Sequence, residues 1–316
     1  MGGILKRTSL DKVPDISDDV QSMLEGVGIT TAELLAHSNS GEISSAIGIP
    51  KDKALAYIRH ARQTIGFKSI MTGFEKEKER ISLLETGFDC IDKALDGGVK
   101  SGSIIELQGQ QWAGKTLMCA HLAIQAQMVK TDNDSVPKVI WYDSDRSFRK
   151  KRIKEIAYRY RMDPEIALRD IILVDVKKKG FMEPSLETMR KTLAKHHVSL
   201  VIIDSLSGSL RYLKPRSTHS HYIASISQLI QTTGAVVAFT NRTQIGFSRS
   251  MLREHKRSGS LPMMIDYGFN FHPNGENERS VETLGTKCNL YIGPGGFFED
   301  YTSRNLEKRR VQRGVF

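Results

Sequence analysis

An eight-residue segment that joins an apolar run to a helical pattern constrains the fold of this chain more than any other feature. The segment is GQQWAGKT, residues 109–116, which fills the pattern GxxxxGK[ST]. An apolar, β-prone run precedes it at residues 104–107, and a helical pattern follows at residues 117–127. This context predicts a P-loop, in which backbone N–H groups and the dipole of the following helix face phosphate groups.

Five apolar runs alternate with helical patterns in the second part of the chain. Continuous apolar strands separated by helices are typical of a parallel sheet that is covered on both faces. The sequence therefore predicts an α/β fold with a mostly parallel sheet and helices on both faces. The predicted strands are SIIEL from residue 103, VIWYD from 139, IILVD from 171, LVIID from 200 and AVVAFT from 235.

Residues 13–67 carry a helical pattern with short glycine turns. In AIGIPKDKALAYI, from residue 46, Gly48 permits a sharp turn and Pro50 can start a helix, while Ala54, Leu55 and Ile58 form a predicted buried stripe. Such a glycine hairpin can offer backbone N–H groups to a DNA phosphate. A small helical bundle that only contacts proteins explains the pattern equally well.

A charged segment, FEKEKER from residue 74, fits a linker or a solvated helix. We therefore predict a helical domain in residues 1–66, a linker in residues 67–84 and an α/β core in residues 85–316.

Charge and cysteine usage narrow the expected partners and compartment. Lys and Arg number 46 against 36 Asp and Glu, and this excess favours polyanions, with nucleic acid ahead of anionic membranes. No stretch approaches the ~18 apolar residues that span a bilayer, and the opening MGGILKR lacks the apolar run of a signal peptide. Cys90, Cys119 and Cys288 are scattered without CxxC spacing, so we expect a reducing compartment and neither a disulfide framework nor a zinc site.

Acidic residues at the ends of two predicted strands are candidates for binding magnesium and activating water. In a P-loop, Lys115 holds the β- and γ-phosphates and Thr116 ligates magnesium. Asp204 closes LVIID and is predicted to complete the magnesium site, although a strand-end Asp alone more often caps a helix. Asp145 follows VIWYD and is the candidate carboxylate for activating water.

The order of these motifs resembles that of the archaeal and eukaryotic RadA-type recombinases of the RecA superfamily. LETGFDCIDKALDGG, from residue 84, matches the family's TG-x-x-x-L/I-D-x-x-L-x-G-G pattern, and the P-loop, a DSD segment, LVIIDS and AVVAFTN follow in order. The resemblance implies a RecA-like P-loop ATPase core preceded by a small all-α helix-hairpin-helix domain, with ATP and Mg²⁺ as cofactors. It also implies that Arg152 lies against the adenine. The predicted nucleotide-binding residues are Gly109, Gln110, Gln111, Trp112, Ala113, Gly114, Lys115, Thr116, Leu117, Arg152 and Asp204.

Several positions depart from the family pattern. The family's catalytic glutamate falls on Asp145, and the phosphate-sensing Gln that follows the strand-end Asn241 is replaced by Arg242. The first DNA loop is not recognisable in residues 210–221, and the carboxy-terminal segment with the nucleotide-capping proline is absent. These departures predict a recombinase paralogue or mediator that binds ATP and DNA in homologous recombination and DNA repair, with weak ATP hydrolysis. The alternatives are a full DNA strand-exchange recombinase and a regulatory RecA-like ATPase that switches a protein interface.

Two further segments are predicted to contact macromolecules. Phe67 and Ile70 stand near the positions of the family's linker Phe-x-x-Ala, which implies docking onto another RecA-like subunit, with a core role for Phe67 as the alternative. The sequence shows neither a membrane-spanning stretch nor the apolar run of a signal peptide, which predicts an intracellular protein. We expect it in the cytoplasm or nucleoid of a prokaryote or in the nucleus of a eukaryote. The basic segment in the position of the second DNA loop is predicted to bind DNA, single-stranded above all, with a mobile solvated loop as the alternative. Its cations are Arg242, Arg249, Arg253, Lys256 and Arg257.

Overall fold

One sheet of nine strands forms the centre of the structure, which is a computed structural model. The described residues are 8–36, 38, 40–65, 82–129, 136–175, 192–193, 196–210, 234–242 and 265–300. A separate antiparallel pair joins β1 (Leu83–Leu84) to β2 (Val99–Lys100). The nine strands are β3 (Ile104–Gly109), β4 (Lys138–Asp143), β5 (Ile171–Asp175), β6 (Val198–Asp204), β7 (Val236–Arg242), β8 (Tyr267–Pro273), β9 (Glu278–Thr283), β10 (Thr286–Gly293) and β11 (Gly296–Phe298).

The strand order across this sheet is β11-β10-β9-β8-β3-β7-β6-β4-β5. The five predicted strands are confirmed as β3 to β7, and all of them pair in parallel. β8 adds a further parallel strand on the other side of β3, while β9, β10 and β11 extend the sheet as antiparallel strands. The P-loop strand β3 therefore lies inside the sheet, and its carboxyl end shares one edge with the ends of β4, β6 and β7.

Nine α-helices lie within the described residues, after a short 3-10 turn at Leu10–Lys12. Among these residues, no helix combines the length and the hydropathy that a membrane crossing requires. The helices are α1 (Asp18–Gly26), α2 (Ala32–Ala36), α3 (Ser40–Ile47), α4 (Lys51–Thr64), α5 (Asp89–Ala94), α6 (Lys115–Met128), α7 (Lys150–Arg159), α8 (Pro164–Arg169) and α9 (Leu206–Leu210).

Both faces of the sheet carry an apolar core, because successive strand residues point to opposite faces. Val139 and Trp141 pack on one face with α5, α6, α7 and α8, while Ile140 and Tyr142 pack on the other with Leu206 of α9. Helix α6 is buried on every side, and all its residues from 118 to 127 are buried. The helix that follows the P-loop is thereby fixed rigidly against the sheet.

The TG-x-x-x-I-D segment forms a turn that the Asp92 carboxylate holds together. The Asp92 carboxylate accepts hydrogen bonds from the backbone N–H and hydroxyl of Thr86, at 2.7 and 2.8 Å, and from the N–H of Gly87 at 3.1 Å. Gly87 has a φ of 81°, and a Cβ there would lie 2.3 Å from Nε2 of Gln125 on α6. The segment thus seats α5 against the helix of the P-loop.

Helices α1 to α4 enclose their own apolar cluster, with Leu24, Leu35 and Ile43 fully or almost fully buried. The predicted stripe on α4 is partly wrong, because Leu55 is 40% exposed while Ala54 and Ile58 are buried. Ala61, three residues after Ile58, completes the stripe at helical spacing. The helix-hairpin-helix assignment and the three domain boundaries stay predictions.

The expectation that the cysteines form no disulfide is wrong, since the structure joins Cys90 to Cys288. Cys90 lies on α5 and Cys288 on β10, and their Cα atoms are 5.9 Å apart although 198 positions separate them in sequence. This Cα distance lies within the range that a disulfide bridges. Sequence spacing failed as a criterion because the antiparallel extension of the sheet brings β10 back to α5. Cys119 is free and buried.

Candidate nucleotide-binding site

The P-loop stands where the sequence places it, between the end of β3 at Gly109 and the start of α6 at Lys115. Gly114 has a φ of 102°, in the left-handed region that favours glycine. A Cβ at Gly114 would also lie 2.5 Å from Cζ of Phe297 on β11. Both the backbone conformation and the close packing of Phe297 therefore require glycine here.

The loop presents backbone donors without protein partners. Among the described residues, nothing accepts a hydrogen bond from the N–H groups of Gln111, Trp112 and Gly114. Ala113 is the exception, because its N–H donates to the carbonyl of Gln110 at 3.2 Å. Free N–H groups in front of a helix N-terminus attract anions, since the helix dipole adds a partial positive charge. The loop is therefore suited to hold phosphate oxygens.

Lys115 brings a cation into the loop. Its side chain is largely buried, and Nζ donates to the carbonyls of Gly109 at 2.8 Å and Gln110 at 2.6 Å. These carbonyls are neutral acceptors, which a phosphate oxygen can replace with a stronger, charge-assisted hydrogen bond.

The Asp204 carboxylate, at the end of β6, meets the first turn of α6. Thr116 Oγ1 donates to Asp204 Oδ2 at 2.8 Å, and two more hydroxyls donate to the same carboxylate, Ser147 to Oδ2 and Thr240 to Oδ1, both at 2.5 Å. Burial raises the pKa of Asp204, while the three hydroxyls lower it and the nearby charge of Asp143 raises it further. A nearby divalent cation favours the ionised form of such a buried carboxylate.

These oxygens fit magnesium. Mg²⁺ prefers oxygen ligands and commonly takes one or two from protein, with phosphates and water completing the octahedron. The hydroxyl of Thr116 and the carboxylate of Asp204 are an adjacent pair of that kind. No cluster of three His, Cys, Asp or Glu side chains with metal-binding geometry occurs in the described part of the chain. Ser147 and Thr240 were missed by sequence reasoning, because nothing in the P-loop pattern indicates them.

Asp145 lies one strand end away from this pair. Its Oδ2 accepts a hydrogen bond at 2.9 Å from Oγ of Ser205, the residue that follows Asp204 in sequence. Ser144 joins the same two strand ends, because its hydroxyl donates to the carbonyl of Ser205 at 3.0 Å and accepts from the Ser205 N–H at 2.8 Å. Gly208 allows this packing, since a Cβ there would lie 2.2 Å from Ser144 Oγ. The structure thus brings Asp145 to the same edge of the sheet as Thr116 and Asp204.

Arg152, the candidate for contact with the base, lies on α7 against the turn between β10 and β11. Its Nη1 donates to the carbonyls of Gly293 at 3.1 Å and Pro294 at 2.9 Å, and to Glu155 at 3.2 Å. That turn leads directly into Phe297, which packs beneath Gly114. Arg152 and the P-loop therefore both pack against the β10–β11 hairpin.

The strand-end Asn241 donates through Nδ2 to Glu106 Oε1 at 3.0 Å, which ties β7 to the P-loop strand. Burial raises the pKa of Glu106, and the bond from Asn241 lowers it. In the β3–β7 register, Arg242 stands opposite Gly109, the first residue of the P-loop. The side chain of Arg242 lies outside the description. Arg249, Arg253, Lys256, Arg257, Phe67 and Ile70 all lie outside the described residues.

Comparison with known proteins now adds to this geometry. The model of the Rad51 family matches residues 77–245, which is more than half of the chain. "DNA repair and recombination protein RadA" of Metallosphaera sedula is 27% identical over 212 residues, which are 65% of this chain and 65% of that protein. The chain thus spans about two thirds of that relative. The protein of the same description from Ignicoccus hospitalis is 26% identical over 253 residues, 74% of this chain and 76% of its own. The chain belongs to the Rad51 family of RecA-like recombinases.

Proposed function

We propose that this chain binds Mg²⁺-ATP and DNA and acts in homologous recombination and DNA repair as a recombinase paralogue or mediator with slow ATP hydrolysis. The observation that carries the nucleotide part is the loop at residues 109–116. There, unpartnered N–H groups, the Lys115 ammonium and the Thr116–Asp204 pair meet at the start of one buried helix.

In this proposal each loop group has a defined task. The N–H groups of Gln111, Trp112 and Gly114 hold phosphate oxygens, and Lys115 exchanges two loop carbonyls for the β- and γ-phosphates. Thr116 and Asp204 hold Mg²⁺, which neutralises phosphate charge when bound. Arg152 meets the base beside the β10–β11 turn.

Asp145 supports slow rather than absent turnover. It stands at the edge that holds Thr116 and Asp204, but its carboxylate is one methylene shorter than a glutamate and is bonded to Ser205. A general base has to lie within hydrogen-bond reach of the water it activates. A shorter side chain that is already engaged meets this condition poorly.

DNA binding rests on charge and on position. The chain has a net charge of +10, and both relatives are described as DNA repair and recombination proteins. β7 carries Arg242 beside the first residue of the P-loop and continues into the segment that holds Arg249, Arg253, Lys256 and Arg257. In this arrangement Arg242 lies near the phosphates of the nucleotide, and the cations that follow it contact the phosphates of a single DNA strand.

A second RecA-like subunit is the proposed protein partner. The Phe67–Ile70 segment is within one residue of the family's linker spacing, and Ile70 replaces the small residue of the family motif. A bulkier side chain weakens docking into a pocket shaped for a methyl group and favours a partner with a roomier pocket.

ATP turnover with and without single-stranded DNA tests this function, in wild type and in the variants Asp145→Glu and Asp145→Asn. We expect slow wild-type turnover, faster turnover in Asp145→Glu because the carboxylate regains its reach, and nearly unchanged ATP affinity in Asp145→Asn. Asp163→Glu, at an exposed helix cap away from the site, is the matched control and should leave turnover unchanged. Rapid wild-type turnover that Asp145→Glu does not increase would contradict the mediator proposal and favour a full recombinase.

A further inference from the structure

Arg279, on β9, is a buried arginine whose hydrogen bonds within the described residues all go to backbone carbonyls. The residue is 8% exposed, and its Nη1 donates to the carbonyls of Gly275 at 3.1 Å, Glu276 at 3.2 Å and Glu278 at 2.7 Å. These carbonyls belong to the turn between β8 and β9 and to the start of β9 itself. One side of the guanidinium thus holds that turn together.

The other side of the same guanidinium reaches the P-loop. Arg279 Nη2 donates to the carbonyl of Trp112 at 3.3 Å, across 167 positions of sequence. Trp112 has a φ of 67°, a left-handed conformation that disfavours a bulky residue, and its side chain is 83% exposed. Packing of the indole does not explain this conformation, because the ring is in solvent. The hydrogen bond from Arg279 to the Trp112 carbonyl opposes the local strain.

The charge of Arg279 has no counterion among the described residues. No carboxylate there lies within 4.0 Å of the guanidinium, and its Nε is buried without a hydrogen-bond partner. Burial lowers the pKa of Arg279, but an arginine stays protonated in proteins. A buried charge is unfavourable unless an opposite charge compensates it. Arg279 contacts the P-loop, whose N–H groups and helix N-terminus are suited to negative charge.

We infer that Arg279 is a positioning residue of the nucleotide site, which fixes the P-loop at Trp112 and supplies a buried positive charge that the ligand's phosphates compensate. The inference rests on the proposed function, because it requires a polyphosphate in the loop. It adds to the site a residue from the antiparallel extension of the sheet, far from the P-loop in sequence.

Two substitutions separate charge from geometry. Arg279→Gln keeps donors for the turn but loses the charge, whereas Arg279→Lys keeps the charge but loses the planar fork that spans turn and loop. Arg62→Gln is the matched control, because Arg62 Nε also donates to a backbone carbonyl, that of Ala36, on helices that contribute nothing to the P-loop. For each full-length variant, calorimetry gives the Kd for Mg²⁺-ATP, and thermal unfolding gives the melting temperature without ligand.

We expect Arg279→Gln to melt without ligand close to wild type and to bind Mg²⁺-ATP about tenfold more weakly, which is about 1.4 kcal/mol. Arg279→Lys should bind about threefold more weakly, and Arg62→Gln should bind as wild type does. A folded Arg279→Gln with wild-type affinity would overturn the inference. If Arg279→Gln does not fold, Arg279→Lys decides: weaker binding supports the positioning role and wild-type binding refutes it. Absence of ATP binding in wild type itself would instead refute the proposed function.

Discussion

At the scale of single residues, the site combines positions that the sequence reveals with positions that it hides. Lys115, Thr116 and Asp204 were predictable, because a P-loop and a strand-end carboxylate have fixed roles and spacing. Ser147, Thr240 and Arg279 were not, because each comes from a different strand end or turn and gains its role only when the sheet brings it to the loop. The P-loop pattern predicts the proposed phosphate-binding loop, while the side chains packed around that loop depend on tertiary structure.

His121, on α6, gives a prediction at the same scale. The residue is fully buried, its Nε2 accepts from the N–H of Phe297 at 2.8 Å, and burial, with the charges of Arg159 and Arg152, holds its pKa well below the usual value. Folded His121 therefore stays neutral below pH 6.5, whereas the unfolded chain takes up a proton there. Its contribution to stability is fully present above about pH 6.5 and is lost progressively as pH falls below that value.

Urea unfolding from pH 7.5 to pH 5 measures this effect in wild type and His121→Gln, whose amide oxygen can still accept from Phe297. Because other groups titrate equally in both proteins, the difference between the two curves isolates His121. We expect the wild-type free energy of unfolding to fall more steeply, by up to about 1.4 kcal/mol per pH unit. Parallel curves would show that His121 is protonated equally in the folded and unfolded states.

At the scale of elements, the five central strands were predictable because each is a continuous apolar run buried on both faces. The parallel strand β8 and the antiparallel strands β9 to β11 were not predicted, since polar and apolar residues mix along them and short turns join them. That extension carries Cys288, Arg279 and Phe297, so missing it also meant missing the disulfide, the buried arginine and the residue beneath Gly114.

The link between α5 and β10 is testable by counting thiols. In protein purified without reductant and then denatured, a maleimide reagent should label one thiol per chain, that of Cys119, and three after reduction. Reduction should also lower the free energy of unfolding by about 2–4 kcal/mol, because the bond closes a long loop in the unfolded chain. Cys90→Ser is the control, with two thiols in both states. Three reactive thiols before reduction would show that Cys90 and Cys288 are not bonded.

At the scale of the whole molecule, the proposed DNA contacts predict a salt dependence. Replacing Arg249, Arg253 and Arg257 together by Ala should reduce the slope of log affinity for single-stranded DNA against log salt by about two units, because three phosphate contacts are lost. Filter binding or fluorescence anisotropy at several salt concentrations gives the slope. Lys51→Ala with Lys53→Ala, both exposed at the start of α4, tests the glycine hairpin. A slope that changes only in this second variant would place the DNA site on the helical segment.

Calorimetric titration of Mg²⁺-ATP into wild type and Lys115→Ala tests most directly whether residues 109–116 and Asp204 form a Mg²⁺-ATP site. We predict one site per chain in wild type and loss of measurable binding in Lys115→Ala. The variant lacks the ammonium group that donates to loop carbonyls in the free protein and to phosphate oxygens in the complex. Lys138→Ala removes a lysine that pairs with Asp170 away from the loop and should bind normally where it folds. Equal affinity for Mg²⁺-ATP in wild type and Lys115→Ala would contradict the claim.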